Sequence, residues 1–228
     1  MKTSLSKKHD FDAVFDSQKV YRLVLEALSH PTKVVSIQEH ANKLQGSNPA
    51  YLALAMTLLD NEVSFNTCEN RQLSDEISSL THATRTVVEE ADFIFVSEAG
   101  DWVAVIEHAQ CGSLANPHSS ATVIVQNKQN SGAPLNQLTF RGPGIDARAT
   151  VLVTQTVKEI LELRDAQCYE YPQGIDLIFV SDEGALFAIP RLVSFDGASQ
   201  ADDSFSFPPF LQALRSLFEE PSKLKEVE

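Results

Sequence analysis

Basic residues are scarce in this chain: 18 Lys and Arg stand against 31 Asp and Glu, a formal net charge of −13 over 228 residues. That balance argues against sequence-independent binding to nucleic acid, which needs clustered cations, and it disfavours an anionic membrane surface. A phosphorylated ligand can bind only where an arginine or a nest of backbone N–H groups overrides the general field. Cysteine is scarcer still. Cys68, Cys111 and Cys168 are far apart and odd in number, with no C-x-x-C, so neither zinc nor a redox pair is indicated and buried thiols in a reducing cytoplasm are expected. No apolar run approaches the ~20 residues that span a bilayer. Residues 1–10 are polar, with no apolar segment behind them of the kind a signal peptide carries.

Catalytic signatures are missing too. The chain has no G-x-x-x-x-G-K-[ST], no G-x-S-x-G and no H-E-x-x-H. Of the six histidines, His9, His30, His40, His82, His108 and His118, only His108 has another ligand type nearby, Cys111, and that pair lacks further ligands. Lys33 and Lys128 lie at strand ends, yet neither has the apolar surroundings that would depress its pKa for Schiff-base chemistry. Read from residues alone, the chain discloses no nucleophile, metal set or cofactor.

What is present is a globular pattern, 43% hydrophobic, with helical and strand-like segments alternating. The spacing predicts a helix capped by Asp16 or Ser17, with Val20, Leu23, Val24, Ala27 and Leu28 facing inward and His30-Pro31 stopping it. Asn48 or Ser47, then Pro49, opens a central apolar helix to residue 59. A further helix starts at Ser74, a short one follows Gly100-Asp101, and another covers 156–167. Strands are read at 33–38, 63–65, 85–88, 93–96, 121–125 and 138–141. The expected class is α/β, a central mixed sheet with helices on both faces. Residues 1–10 read as a flexible tail and 11–195 as a single domain. Beyond it, 196–228 reads as a linker, Ser- and Asp-rich from 194 to 206, and a last helix over 207–220.

The centre of the pattern is 171–191, YPQGIDLIFVSDEGALFAIPR. Residues 175–180, apolar except for Asp176, form a strand buried on both faces. Ser181-Asp182-Glu183-Gly184 turns the chain, Ala185–Ile189 returns antiparallel, and Pro190, with no N–H, ends the strand. If Val180 pairs with Ala185, Asp176 and Arg191 are diagonal neighbours on one face; if Gly184 makes a bulge, Ser181 pairs with Ala185 and the two point apart. Arg191 is therefore either an anion ligand or a structural ion-pair partner at the rim. Gly142-Pro143-Gly144 could bring the N–H groups of Ile145 and Asp146 to a phosphate, with Arg141 as a clamp, or be a plain turn after an alternating strand. The candidate anion-binding set is thus Arg141, Gly142, Gly144 and Arg191, while Gly174, Asp176, Gly184 and Pro190 read as structural.

The segments YRLVLEALSHPTKVVSI (21–37), LLDNEVSF (58–65), ADFIFV (91–96), CGSLANPHSSATVIV (111–125), LTFRGPGI (138–145) and the 171–191 block follow one another in that order. The series resembles the PhnH family, a subunit of the bacterial carbon–phosphorus lyase system that degrades phosphonates. P-x-G-I-D-L-I followed by A-I-P-R is its most specific part. The resemblance implies a three-layer α/β/α sandwich like a reduced large domain of pyridoxal-phosphate-dependent transferases, without the cofactor lysine. It also implies a homodimer, assembly with G, I and J subunits, and support, with G, I and L, of phosphonate transfer onto the ribose of ATP; the chemistry belongs to other subunits. No catalytic residue and no cofactor carries over. Thr32 departs from the family pattern, in which glycine usually follows S-x-P.

Overall fold

The computed structural model describes residues 9–128 and 135–197. The tail expected at 1–10 falls almost wholly outside the described residues, and the helix expected over 207–220 does so entirely. The first half of the described chain contains α1 (Phe15–Ser29), β1 (Val35–Ser36), α2 (Gln38–Ala41), α3 (Pro49–Leu58), β2 (Ser64–Asn66), α4 (Arg71–Thr81) and β3 (Thr84–Arg85). Then come β4 (Phe93–Val96), α5 (Trp102–His108), β5 (Thr122–Gln126), β6 (Leu135–Arg141), β7 (Ala149–Thr154) and α6 (Gln155–Ala166). The last strands are β8 (Asp176–Val180), β9 (Ala185–Ile189) and β10 (Ser194–Gly197).

Seven strands form the central sheet in the order β1-β9-β8-β5-β4-β2-β3. Strands β3, β2, β4, β5 and β8 run parallel, β9 returns antiparallel to β8, and β1 is antiparallel to β9. The sheet is therefore mixed but mostly parallel, with helices on both faces, as the alternation of segments implied. Along each strand the side chains divide between two cores. Phe95, Ile124, Ile178 and Ala188 meet Val20 and Val24 of α1, the apolar body of α3, and Leu73 and Ile77 of α4. Ile94, Val123, Leu177 and Phe179 meet Val105 and Ile106 of α5 and Val157, Ile160 and Leu161 of α6. Helix α3 is apolar all round because it is enclosed. Its Tyr51 hydroxyl donates to Val96 O at 2.6 Å, which ties the helix to the sheet.

A second, antiparallel sheet, β10-β6-β7, packs on the α5 and α6 side through Leu138, Phe140 and Val153. Two sequence expectations change here. Residues 149–154, given no element, are β7. Residues 194–197, read as the start of a linker, are β10, paired with β6 from Ser194 opposite Arg141 to Gly197 opposite Leu138. Phe195 lies against Phe140, ring centroids 6.1 Å apart, which is the one apolar signal in an otherwise polar stretch. Helix starts also differ. Asp12 Oδ1 accepts from the N–H groups of Val14 and Phe15, each at 2.8 Å, so Asp16 is released from capping. Asn70, not Ser74, caps α4, accepting from Leu73 N at 3.1 Å.

Candidate functional site

The most specific segments of the sequence converge at the amino-terminal edge of β5 and β8. Of the two hairpin registers, the chain adopts the one with Val180 opposite Leu186 and Ser181 opposite Ala185, Ser181 N donating to Ala185 O at 2.8 Å. That register was expected to turn Asp176 and Arg191 apart, and it does not. Strand β9 ends at Ile189, Pro190 breaks the alternation, and Arg191 folds back over the start of β8. Its Nη2 and Nε donate to Asp176 Oδ2 and Oδ1 at 2.6 and 3.3 Å, and its backbone N–H donates to Oδ1 at 2.8 Å. A further bond from Nη1 reaches Pro117 O in the 111–120 loop. The pair is mostly shielded, the side chains 20% and 17% exposed, so a two-pronged carboxylate grip is worth more here than on an open surface.

Gly174 stands beside the clasp for a steric reason: a Cβ there would lie 3.0 Å from Arg191 Cβ, and its φ of 143° disfavours any side chain. The segment before it is stitched to the same loop, Gly174 N donating to Cys111 O at 2.9 Å and Gln173 Nε2 to Gly112 O at 2.9 Å. Gly184, in the hairpin turn, accepts from Ile37 N at 2.8 Å and so joins the turn to the residues after β1. Pro190 O accepts from Val193 N at 2.9 Å.

The glycine-rich turn after β6 abuts this region. A Cβ at Gly142 would meet Leu192 O at 2.8 Å, immediately after Arg191, and a Cβ at Gly144 would meet Ser29 O at 2.4 Å. The N–H of Ile145 is engaged by Gly142 O at 3.2 Å. Arg141 points to Asp196 of β10 at 3.3 Å, both well exposed. Of the four anion candidates, Arg141, Gly142 and Gly144 thus share one turn, which touches the turn bearing Arg191, while the Arg191 guanidinium faces Asp176. Beside them lies a cleft of about 270 Å³ lined by Arg164, Cys168, Tyr171, Gln173, Arg191 and Leu192.

Arg164 was missed from sequence. It is 3% exposed and donates to the carbonyls of Ile189, Pro190 and Val193 at 3.4, 3.4 and 2.6 Å while pairing with Asp165 at 2.9 Å. Its signal was positional: 157, 160, 161 and 164 complete one helical stripe, so the arginine occupies the buried face. A second buried group gathers around Asp16, whose Oδ1 accepts from His40 Nδ1 at 2.8 Å and Lys43 Nζ at 2.7 Å and whose Oδ2 accepts from Asp12 N at 2.8 Å. Burial would raise this carboxyl, but the bonds from Lys43, the Asp12 N–H and His40 outweigh it and hold it well below the usual range.

At the opposite, carboxyl edge the connections from β2 and β4 leave for opposite faces, which makes the gap between them the switch point of the sheet. Here Cys68 and Glu69 take positive φ of 48° and 68° without being glycine. A cleft of about 330 Å³ opens beside them, lined by Asn66, Thr67, Glu69, Arg71, Asp75 and Arg85. Burial, with Asp101 and Glu69 nearby, pushes the Cys68 thiol up to about 11, so near neutral pH it is protonated and unsuited to attack. Arg85 is held by Asp75 at 2.8 Å and Ser74 O at 3.1 Å. Among the described residues no group of three or more His, Cys, Asp or Glu is placed to hold a metal ion, and no helix is long and apolar enough to cross a membrane.

Comparison with known proteins gives a concordant match. A family model described as "Bacterial phosphonate metabolism protein (PhnH)" matches residues 9–195. The chain is 28% identical over 165 residues, 72% of its own length and 78% of the other, to a Stutzerimonas stutzeri protein named "Putative C-P lyase subunit protein HtxG". It is 25% identical over 189 residues, 81% and 92% of the two lengths, to the "Alpha-D-ribose 1-methylphosphonate 5-triphosphate synthase subunit PhnH" of Rhizobium meliloti (strain 1021).

Proposed function

Because this chain belongs to the PhnH family of bacterial phosphonate metabolism proteins, we propose that it is a non-catalytic subunit of a carbon–phosphorus lyase complex. In this reading it supports the transfer of alkylphosphonate onto the ribose of ATP by assembling, as a homodimer in the cytoplasm, with the G, I, J and L subunits. The observation that carries the non-catalytic role is the engagement of Arg191. The cation in the most family-specific segment is spent on Asp176 and a loop carbonyl, holding three segments of this chain together. The protonated thiol at the sheet's switch point supports the same reading. Co-expression with tagged G, I and J subunits tests it: the chain should co-purify in fixed ratio, and elution away from all three overturns it. Sedimentation of the isolated chain tests the homodimer.

A second reading is favoured by the contact between the Gly142 turn and Leu192, which brings the two arginine-bearing turns together. In it, Arg141, Gly142, Gly144 and Arg191 bind a phosphonate or nucleotide phosphate that competes with Asp176 for the Arg191 guanidinium. Calorimetry with ATP and with methylphosphonate decides; Arg191→Ala should weaken any such binding by about 1.5–3 kcal/mol, the value of a hydrogen bond to a charged group. The finer fold reading, a reduced large domain of pyridoxal-phosphate-dependent transferases, rests on the family resemblance. Soaking with the cofactor should leave the visible absorbance of the protein unchanged.

A further inference from the structure

Helix α1 carries a surface that the rest of the described chain leaves uncovered. Val14 and Phe15 at its start are 70% and 68% exposed, and Tyr21 and Leu25 are 52% and 49% exposed. At 3.6 residues per turn, Val14, Tyr21 and Leu25 fall within about 40° of arc, a continuous apolar stripe rather than scattered side chains. The opposite side of the same helix is already used, with Val20, Val24 and Ala27 in the core. Along one flank of the stripe, about 60° and 120° round from Leu25, stand Arg22 and Lys19. Both are exposed, and neither forms an ion pair among the described residues. Of the acids of the helix, Asp16 is buried against His40 and Lys43, while Glu26, on the same flank between Arg22 and Lys19, is paired at the surface with Lys33 at 2.5 Å. In a chain of net charge −13, this face is apolar with two cations along its flank, and Asp12 at its start is engaged by the N–H groups of Val14 and Phe15.

The position of the two cations decides between occupants. Lys19 and Arg22 lie near the midpoint of the stripe, so an isologous pair of α1 helices would bring four cations together about the two-fold axis while two strongly acidic bodies approach. A second copy is a poor fit. A membrane is disfavoured by the charge of the whole molecule. We infer that the outer face of α1, with Val14, Tyr21 and Leu25 as anchors and Phe15, Arg22 and Lys19 along one flank, is the docking surface for another protein subunit that offers an apolar groove or helix with acidic flanks. Aromatic side chains enclosed at the centre and an arginine at the edge are the composition such surfaces favour.

The inference rests on the subunit reading above, and its test uses the full chain. Wild type, Lys19→Glu/Arg22→Glu, Tyr21→Ala/Leu25→Ala, and Arg71→Glu at the exposed start of α4 as a control are each titrated onto co-purified G, I and J subunits. All substituted positions are on helix surfaces, so melting curves should match wild type. The expected result is at least tenfold weaker binding for both α1 double variants, none for the control, and a salt dependence that is steep for wild type and shallow after charge reversal. Wild type that binds while both α1 variants bind equally well overturns the inference and leaves the subunit reading standing. Wild type that fails to bind removes the subunit reading and the inference with it. A wild-type dimer that Tyr21→Ala/Leu25→Ala dissociates, or binding to phosphatidylserine vesicles abolished by charge reversal, assigns the face elsewhere and overturns the inference as well.

Discussion

Asp16 shows how one carboxylate can hold three pieces of chain. It is ordinary in sequence, a helix-start acid, and only the fold sets it against His40 and Lys43. Its folded pKa lies below the ordinary 3.8, so its stabilising contribution is complete above that value and is lost as pH falls through the folded pKa. The gap in unfolding free energy between wild type and Asp16→Asn should therefore be widest above about pH 5, begin to narrow below about pH 4 and still be narrowing at about pH 3, as urea titrations across that range would read. Thr32 is a second case. Its φ of 78° is costly for a β-branched residue. Thr32→Gly should stabilise the chain by about 0.5–1 kcal/mol, visible as a higher melting temperature, because relief of left-handed strain exceeds the added chain entropy.

Among the elements, the GPG turn between β6 and β7 lies against the end of α1. The would-be Cβ of Gly144 is 2.4 Å from Ser29 O and 2.7 Å from Pro31 Cδ. Gly144→Ala should cost about 3 kcal/mol in equilibrium unfolding, from combined overpacking and backbone strain. Elements with strong periodicity or dense apolar runs were legible in the sequence: α1, α3, β4, β5 and the β8–β9 hairpin lie close to where pattern placed them. Strand β10 was not, because Ser194 and Asp196 mark no strand by themselves and β6 supplies the order; β7 was passed over although Thr150–Thr154 is rich in β-branched residues. Of the site, the residues Asp176, Arg191, Gly142 and Gly144 were legible as unusual. Their contacts were not, since Pro190 ends the alternation from which a direction for Arg191 could be read.

At the scale of the whole molecule, the two ends of the described chain complete each other. Val35 and Ser36 pair with Leu186 and Ala185, and α1 packs on β9. A fragment of residues 1–184, which retains α1, α3 and all five parallel strands whole but lacks β9, should accordingly show no cooperative thermal transition by circular dichroism. The same pairing sets a timetable for a chain made from its amino end. About 150 residues separate Val35 from its partner, so at ~5–20 residues per second roughly 10–30 s of translation pass before the strand that α1 must cover exists. Through that interval the inner stripe of α1 lacks the strand it packs on, although β2, β4 and β5 are already made and can receive α3. The newborn chain is then open to chaperones and to misplaced partners, and the hairpin that emerges near its end is what shuts that window.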